Sequence, residues 1–129
     1  MKSALFLFLM FIAMSIPTQA VTTGPVPSFQ EALVQSEKIP APVRGSSTEQ
    51  AGIRRFEDFL AHLDEKTARE QTEQVYAPGA YLNDTLKTIH GAPAIRDYFI
   101  KTAQGLDSMT VTFDDLAVSG RNYYFRWTM

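Results

Sequence analysis

The side chains best suited to acid–base chemistry lie near the middle of the chain. Asp84 supplies a carboxylate, and partial burial at the mouth of a pocket would make such a group a useful base. His90 supplies an imidazole that can act as a base or a hydrogen-bond donor at neutral pH. Three roles stay open for Asp84: general base, polar lining of a pocket, or cap of the turn into Thr85. For His90 the alternative is an exposed turn.

Aromatic residues near these groups could complete a pocket. The phenols of Tyr76, Tyr81 and Tyr98 can donate hydrogen bonds inside it, although aromatic side chains at helical spacing are also typical of a core. Phe125 and Trp127 alternate with polar residues and are predicted to form the pocket floor. The predicted ligand-pocket residues are therefore Tyr76, Tyr81, His90, Tyr98, Phe125 and Trp127.

Composition excludes several classes of protein. The chain has 129 residues and a formal net charge of −2, so it fits one domain and carries no basic footprint for nucleic acid or anionic lipid. Cysteine is absent, which rules out disulfides, a thiol nucleophile and thiolate metal sites. The chain has two histidines and no glycine-rich phosphate loop, G-x-S-x-G or H-E-x-x-H motif. We therefore expect neither a metal nor a cofactor, and no nucleic-acid partner.

The first 20 residues have the composition of a secretory signal peptide. One lysine precedes an apolar run, Ala4 to Ile16, whose length of roughly 20 Å as a helix is too short for the ~30 Å hydrocarbon layer. A small residue, Ala20, ends the segment and fits a cleavage site. We predict a signal peptide over 1–20 and export to the periplasm or the cell exterior, with no stable membrane association after cleavage. The alternatives are an uncleaved N-terminal membrane anchor and a misassigned start codon.

Residues 21–48 differ from the rest of the chain in their proline content. Two pairs of prolines, at 25 and 27 and at 40 and 42, remove backbone donors and favour extended structure. We predict a disordered linker over this range, in which residues 29–34 are the best candidate for a short helical turn. The linker would lead into a domain that spans residues 49–129.

Three amphipathic helices are predicted in this domain. The first starts with a capping box, either Ser46 with Glu49 or Ser47 with Gln50. It runs for about 15 residues along a stripe of apolar residues spaced three and four apart. The second starts with a capping box at Thr67 and ends before Pro78. The third has Pro93 in its first turn and Gly105 at its end.

Two strand pairs are predicted on either side of the third helix. The first pair consists of two short segments, 80–84 and 87–91. The second is an antiparallel hairpin of 109–118 with 123–129, in which apolar and polar residues alternate. The apolar phase shifts by one after Asp114-Asp115, which predicts a β-bulge because a regular strand would turn the later apolar residues away from the core. These elements together predict an α+β fold.

The order of these elements resembles the SnoaL-like domains of the nuclear transport factor 2-like superfamily. The resemblance rests on residues 75–84 (VYAPGAYLND), on Ile89-His90-Gly91 and on residues 94–99 (AIRDYF). It covers about residues 50–129 and implies three helices packed on a curved, mainly antiparallel sheet. Such domains normally have further long strands, so we expect a C-terminally incomplete domain that does not fold stably by itself.

The resemblance also implies a function. In the ketosteroid isomerases of this superfamily a carboxylate at the place of Asp84 shuttles a proton, and a phenol from the first helix binds the oxyanion, where this chain has Phe56 and Phe59. An enzyme would also need a second polar group within reach of Asp84, and the sequence does not clearly identify one. We therefore predict a pocket domain of unassigned specificity that binds a small apolar molecule. The alternative is an acid–base enzyme of isomerase, cyclase or dehydratase type that uses Asp84.

The outer face of the predicted sheet is a candidate surface for a partner subunit. Arg126 would lie on this face, either in a surface salt bridge or against a second copy of the chain. The resemblance implies a dimer surface here, because the outer sheet face is commonly used in this family. A homodimer is therefore among the expectations.

Overall fold

The computed structural model describes residues 25–85 and 87–129, so the predicted signal peptide lies outside the described residues. The elements are α1 (Phe29–Glu37), α2 (Ser47–Ala61), α3 (Glu65–Val75), β1 (Tyr81–Asp84), β2 (Lys87–His90), α4 (Ala92–Gln104), β3 (Thr112–Ser119) and β4 (Asn122–Thr128). The predicted α+β class is confirmed. Within the described ranges, no helix has the length and apolar character needed to cross a bilayer.

Side-chain caps set the starts of α2 and α3. Of the two predicted caps for α2, Ser46 is the one used, and its hydroxyl accepts a hydrogen bond from the backbone NH of Glu49. The predicted start of α3 at Thr67 is wrong, because Asp64 caps the helix and accepts a bond from the NH of Thr67 at 2.6 Å. An aspartate satisfies the orphan amides and its charge suits the positive end of the helix dipole. Thr67 therefore lies inside the first turn.

Helix α1 lies within the range predicted to be a disordered linker, so that prediction does not hold for residues 29–37. The helix begins with a complete capping box, in which Glu31 NH donates to the Ser28 hydroxyl and the Glu31 carboxylate accepts from Ser28 NH at 2.7 Å. The two pairs of prolines flank the helix and none interrupts it. The proline content of the whole segment therefore does not predict the local structure between the two pairs of prolines.

Helix α2 carries the centre of the core. Phe56 and Phe59 are both fully buried, and they lie against different neighbours. Phe56 is 4.8 Å from Phe125 on β4, measured between ring centroids. Phe59 is 5.2 Å from Phe99 on α4 and 6.0 Å from Tyr76 at the end of α3. The helix thus joins hairpin β3–β4 on one side to α3 and α4 on the other.

The strands form two separate antiparallel pairs, where a single curved sheet was expected. In the described residues β1 pairs with β2 and β3 pairs with β4, and no ladder joins the two pairs. The predicted bulge is confirmed, because Phe113 pairs with Trp127 while Asp115 pairs with Arg126, the next residue back along β4. Asp114 is the extra residue. It restores the phase that places Leu116 on the core face opposite Phe125.

A buried glutamate ties the start of α2 to β4. Glu49 is only 5% exposed. Its carboxylate accepts hydrogen bonds from Arg44 at 3.0 Å, from the backbone NH of Gly45 at 2.5 Å and from the Tyr123 hydroxyl at 2.5 Å. The bond from Tyr123 and then the bond from Gly45 lower the pKa of Glu49. Burial and the same contact raise the pKa of Tyr123 to about 12. The pair is therefore a carboxylate and a neutral phenol at neutral pH.

Deleting Asp114 tests the interpretation of the bulge. Because Phe113 and Asp115 would become neighbours, the remaining residues keep a regular alternation with Leu116 still facing the core. We expect the deletion variant to fold with a Tm within about 5 °C of wild type. Deleting Ala117 from the regular part of β3 should abolish cooperative unfolding, because it moves neighbouring apolar residues to opposite faces. If the two deletions lowered Tm equally, the assigned register would be contradicted.

The carboxylates with lowered pKa should make the fold sensitive to acid. The affected groups accept hydrogen bonds in the folded state and are Glu31, Glu49, Asp64 and Glu65. A group whose folded pKa lies below its unfolded value stabilises the fold above the unfolded pKa, and the contribution is lost as pH falls through the folded pKa. We therefore expect Tm, measured by circular dichroism, to decrease as pH falls from about 5 to about 3.

The variant Glu49→Gln should weaken this acid dependence. It removes a titrating carboxyl group but keeps a side chain of similar shape, so the difference in Tm from wild type should be large at pH 7 and shrink toward pH 3. Glu70→Gln, at an exposed position on α3, is the matched control and should follow the wild-type curve. If the Glu49→Gln curve ran parallel to wild type across this range, Glu49 would not be the acid-sensitive group.

Candidate functional site

Hairpin β1–β2 and helix α4 are held together at Gly91. The backbone NH of Gly91 donates to Ala80 O at 2.8 Å, and the NH of Ala92 donates to Pro78 O at 3.2 Å. Gly91 has φ +89°, and an added Cβ would lie 3.5 Å from Pro78 O. Glycine adopts this backbone conformation without steric cost. The chain can therefore leave β2 and enter α4 directly, which brings the helix back beside β1.

The two faces of β1 have different surroundings. Side chains alternate along a strand, so Leu82 and Asp84 share one face while Tyr81 and Asn83 share the other. Leu82 is buried, and Asp84 contacts α4 from the same side. Tyr81 lies against Phe29 of α1, with 6.2 Å between the ring centroids. We call the face with Asp84 the inner face of the hairpin and the face with Tyr81 its outer face.

On the inner face, Asp84 and Tyr98 form a hydrogen-bonded pair. The hydroxyl of Tyr98 on α4 donates to Oδ2 of Asp84, and both side chains are half-buried. Burial is the main cause of a raised pKa for Tyr98, and the hydrogen bond to Asp84 and its charge raise it further. Tyr98 therefore remains protonated at neutral pH and serves as the donor. The contact supplies the second polar group near Asp84 that the sequence did not identify.

Tyr76 lies deeper in the molecule than this pair. Its ring packs between Phe59 and Phe99, at 6.0 and 5.8 Å between centroids. Its hydroxyl is buried and has no hydrogen-bond partner among the described residues. Burial raises the pKa of Tyr76 far above its usual value, so the phenol is neutral. The structure thus places an unsatisfied donor in the core, one aromatic ring away from Tyr98, since Phe99 contacts both.

The other predicted pocket residues lie on the outer face of hairpin β1–β2 or in the core. Tyr81 and His90 are partners across the hairpin ladder, and both belong to its outer face. Phe125 and Trp127 are buried in the core, where each packs against Phe113 at 5.6 Å. The structure therefore brings together Asp84 and Tyr98, with Tyr76 nearby through Phe99. Contact of any of these side chains with a ligand remains a prediction.

No metal centre is evident in the described ranges. Nowhere in residues 25–85 and 87–129 do three or more histidine or carboxylate side chains converge as possible metal ligands. The carboxylate of Asp84 has the phenol of Tyr98 as its hydrogen-bond partner.

The contact between Asp84 and Tyr98 was missed because it depends on how α4 returns over the hairpin. Both residues were singled out, one as a base and the other as a pocket phenol, yet 14 positions separate them. Gly91 is a sequence signal for this return of α4, because a glycine between β2 and α4 allows the chain to turn directly from strand to helix. A two-strand hairpin followed at once by a helix forces that helix to lie beside the hairpin, and Tyr98 is then the residue on its second turn that reaches the end of β1.

Comparison with known proteins agrees with this architecture. The family model of the SnoaL-like domain matches residues 51–129, from within α2 to the last residue of the chain. No curated protein and no solved structure matches the chain. The matched range is more than half of the chain and contains both hairpins and the Asp84–Tyr98 pair. The chain therefore belongs to the family of SnoaL-like domains, within the nuclear transport factor 2-like superfamily.

Proposed function

We propose that this protein binds a small, largely apolar molecule and that Asp84 and Tyr98 contact the polar group of that molecule. The observation that carries the proposal is the hydrogen bond from Tyr98 to the half-buried carboxylate of Asp84. A carboxylate keeps hydrogen-bonding capacity beyond the one bond it receives. A ligand hydroxyl or amine would satisfy the remaining capacity of Asp84.

The surroundings of the pair favour an apolar ligand body. Leu82 is buried on the same face of β1, and Ile89 on β2 is its partner across the ladder and packs against the core. Phe99 lies 5.5 Å from the Tyr98 ring. Ligand sites commonly combine such apolar walls with a few polar groups that fix orientation. Membership of the SnoaL-like family agrees with small-molecule binding, because the fold is used for binders and isomerase-type enzymes.

The same contact favours acid–base catalysis as the second candidate function. A carboxylate that is oriented by a phenol can remove a proton from a bound substrate, and the neutral phenol can stabilise the product by hydrogen bonding. The sequence alone lacked a second polar group for this role, and Tyr98 supplies it. The reaction type would be proton transfer next to a carbonyl group of a small apolar substrate, as in isomerases, cyclases and dehydratases.

A comparison of Asp84→Asn with Tyr98→Phe tests the binding function. Ligand-observed NMR with a set of small apolar alcohols and ketones should identify ligands of the wild-type protein. Hydrogen bonds to charged groups contribute about 1.5–3 kcal/mol, so Asp84→Asn should weaken binding of the alcohols about tenfold or more, and Tyr98→Phe should weaken it less. Asp107→Asn, at an exposed position beyond α4, is the control and should bind as wild type does.

The same ligands separate binding from catalysis. A ketone incubated with enzyme in D₂O would exchange the protons beside its carbonyl group if Asp84 acts as a base, and Asp84→Asn should slow that exchange by roughly 10²–10⁴-fold. If the ketones bound without exchange of these protons, the protein would be a binding domain and not an enzyme of this type. If the alcohols and ketones bound Asp84→Asn as tightly as wild type, the pair would not be the recognition site.

We also propose that the protein is exported. The support is the sequence of residues 1–20, in which one lysine, a short apolar run and a final alanine follow the order of a secretory signal. Expression of the full chain in a bacterium, followed by fractionation and mass spectrometry, should recover a periplasmic form that begins at Val21. A protein found in the cytoplasm with its first 20 residues intact would contradict export.

A further inference from the structure

The segment that precedes the matched family range contacts both hairpins. We call residues 25–45, which include α1, the arm. At one end of the arm, the Phe29 ring lies 6.2 Å from the Tyr81 ring on the outer face of β1. Toward the other end, the arm is bound to the turn between β3 and β4. The arm therefore spans two strand pairs that share no ladder with each other in the described residues.

Arg121 binds the end of α1 from that turn. Its guanidinium donates to Ser36 O at 2.6 Å and to Ile39 O at 2.7 Å. Ser36 O also accepts from the backbone NH of Ile39 at 3.1 Å, and a cation near the last carbonyl groups of a helix is stabilised by the helix dipole. Helix α1 has no basic residue in its own last turn. Arg121 thus supplies, from the β3–β4 turn, the cation that the last turn of α1 lacks.

Arg44 and Glu49 fix the arm where it enters the domain. The guanidinium of Arg44 donates to Gly120 O at 2.5 Å, in the same turn, and lies 5.3 Å from the centroid of the Tyr123 ring. The Glu49 carboxylate accepts from both Arg44 and Tyr123. Two arginines therefore join the arm to hairpin β3–β4. Arg44 belongs to the arm, and Arg121 belongs to the turn of the hairpin.

We propose that the arm is an intramolecular strap that holds hairpin β1–β2 in position relative to hairpin β3–β4. Phe29 and Arg121 are positioning residues in this arrangement. Phe29 supports β1 from its outer face while α4 contacts the inner face, so the strand that ends in Asp84 is held between two helices. The strap does not depend on the proposed function, because its effect is on the position of the hairpin whether or not a ligand binds there.

Hydrogen–deuterium exchange of the full chain, followed by mass spectrometry, tests this proposal. In Arg121→Ala, peptides from residues 29–37 should exchange at least about tenfold faster than in wild type. Peptides from residues 81–90 should also exchange several-fold faster, although Arg121 itself contacts neither strand of that hairpin. Exchange in α2 should stay unchanged. Arg126→Ala, which alters an exposed arginine on the same hairpin, is the control and should leave all of these rates as in wild type.

A second variant keeps the test informative if Arg121→Ala does not fold. Phe29 is 46% exposed and is not one of the core residues, so Phe29→Ala leaves the core and the Arg121 contacts in place. It should speed exchange in residues 81–90 while α1 keeps its protection at Ser36 and beyond. If exchange became faster only in the arm in both variants, the proposal that the arm holds hairpin β1–β2 in position would be wrong. Exchange of the wild-type arm at the rate of an unstructured peptide would overturn it as well.

Discussion

The packing of two phenylalanines on α2 is the constraint on which the other contacts depend. Phe56 and Phe59 are three positions apart, so they lie on the same side of the helix, and both are completely buried. One contacts the aromatic face of hairpin β3–β4 and the other contacts α3 and α4. Among the described residues no ladder joins the two strand pairs, and α2 is what places them around a common core. The position of α2 along its own axis is set at Ser46 and Glu49, where a capped start and a buried carboxylate meet the end of the arm.

The candidate site follows from this arrangement through one short hairpin. Hairpin β1–β2 has a four-residue ladder, which by itself would be too small to be stable in water. It is stabilised on the inner face by α4 and on the outer face by α1. Because Leu82 and Asp84 share the inner face, the carboxylate lies at the edge of an apolar region and meets the phenol of Tyr98. A charged group in such a place needs a partner, and Tyr98 provides one.

Local patterns in the sequence were sufficient for much of the fold. The three-and-four spacing around Phe56 predicted α2, and the change of phase after Asp114 predicted the bulge, because both signals depend only on neighbours along the chain. The start of α3 was misplaced because Thr67 and Glu70 imitate a capping box, while the stronger cap, Asp64, stands three residues earlier. Helix α1 was underestimated because prolines on both sides of it suggested extended structure.

The site depended more on contacts between distant parts of the chain. Asp84 and Tyr98 were both identified as polar groups of interest, but their pairing requires α4 to fold back along the hairpin. Tyr81 and His90 were grouped with them from proximity in sequence, whereas strand alternation places both on the outer face. Glu49 looked like an ordinary capping residue. Its burial results from Tyr123 and Arg44, and neither contact has a local signal in the sequence.

The titration of Tyr98 is the most direct test of the Asp84–Tyr98 pair. NMR of protein labelled at the tyrosine Cζ carbon can follow each of the five phenols as pH rises. The structure predicts a Tyr98 pKa above the usual tyrosine value, and a decrease toward that value in Asp84→Asn, because part of the shift comes from the carboxylate. A Tyr98 signal that titrates at the usual value, with no response to Asp84→Asn, would show that the pair does not form in solution.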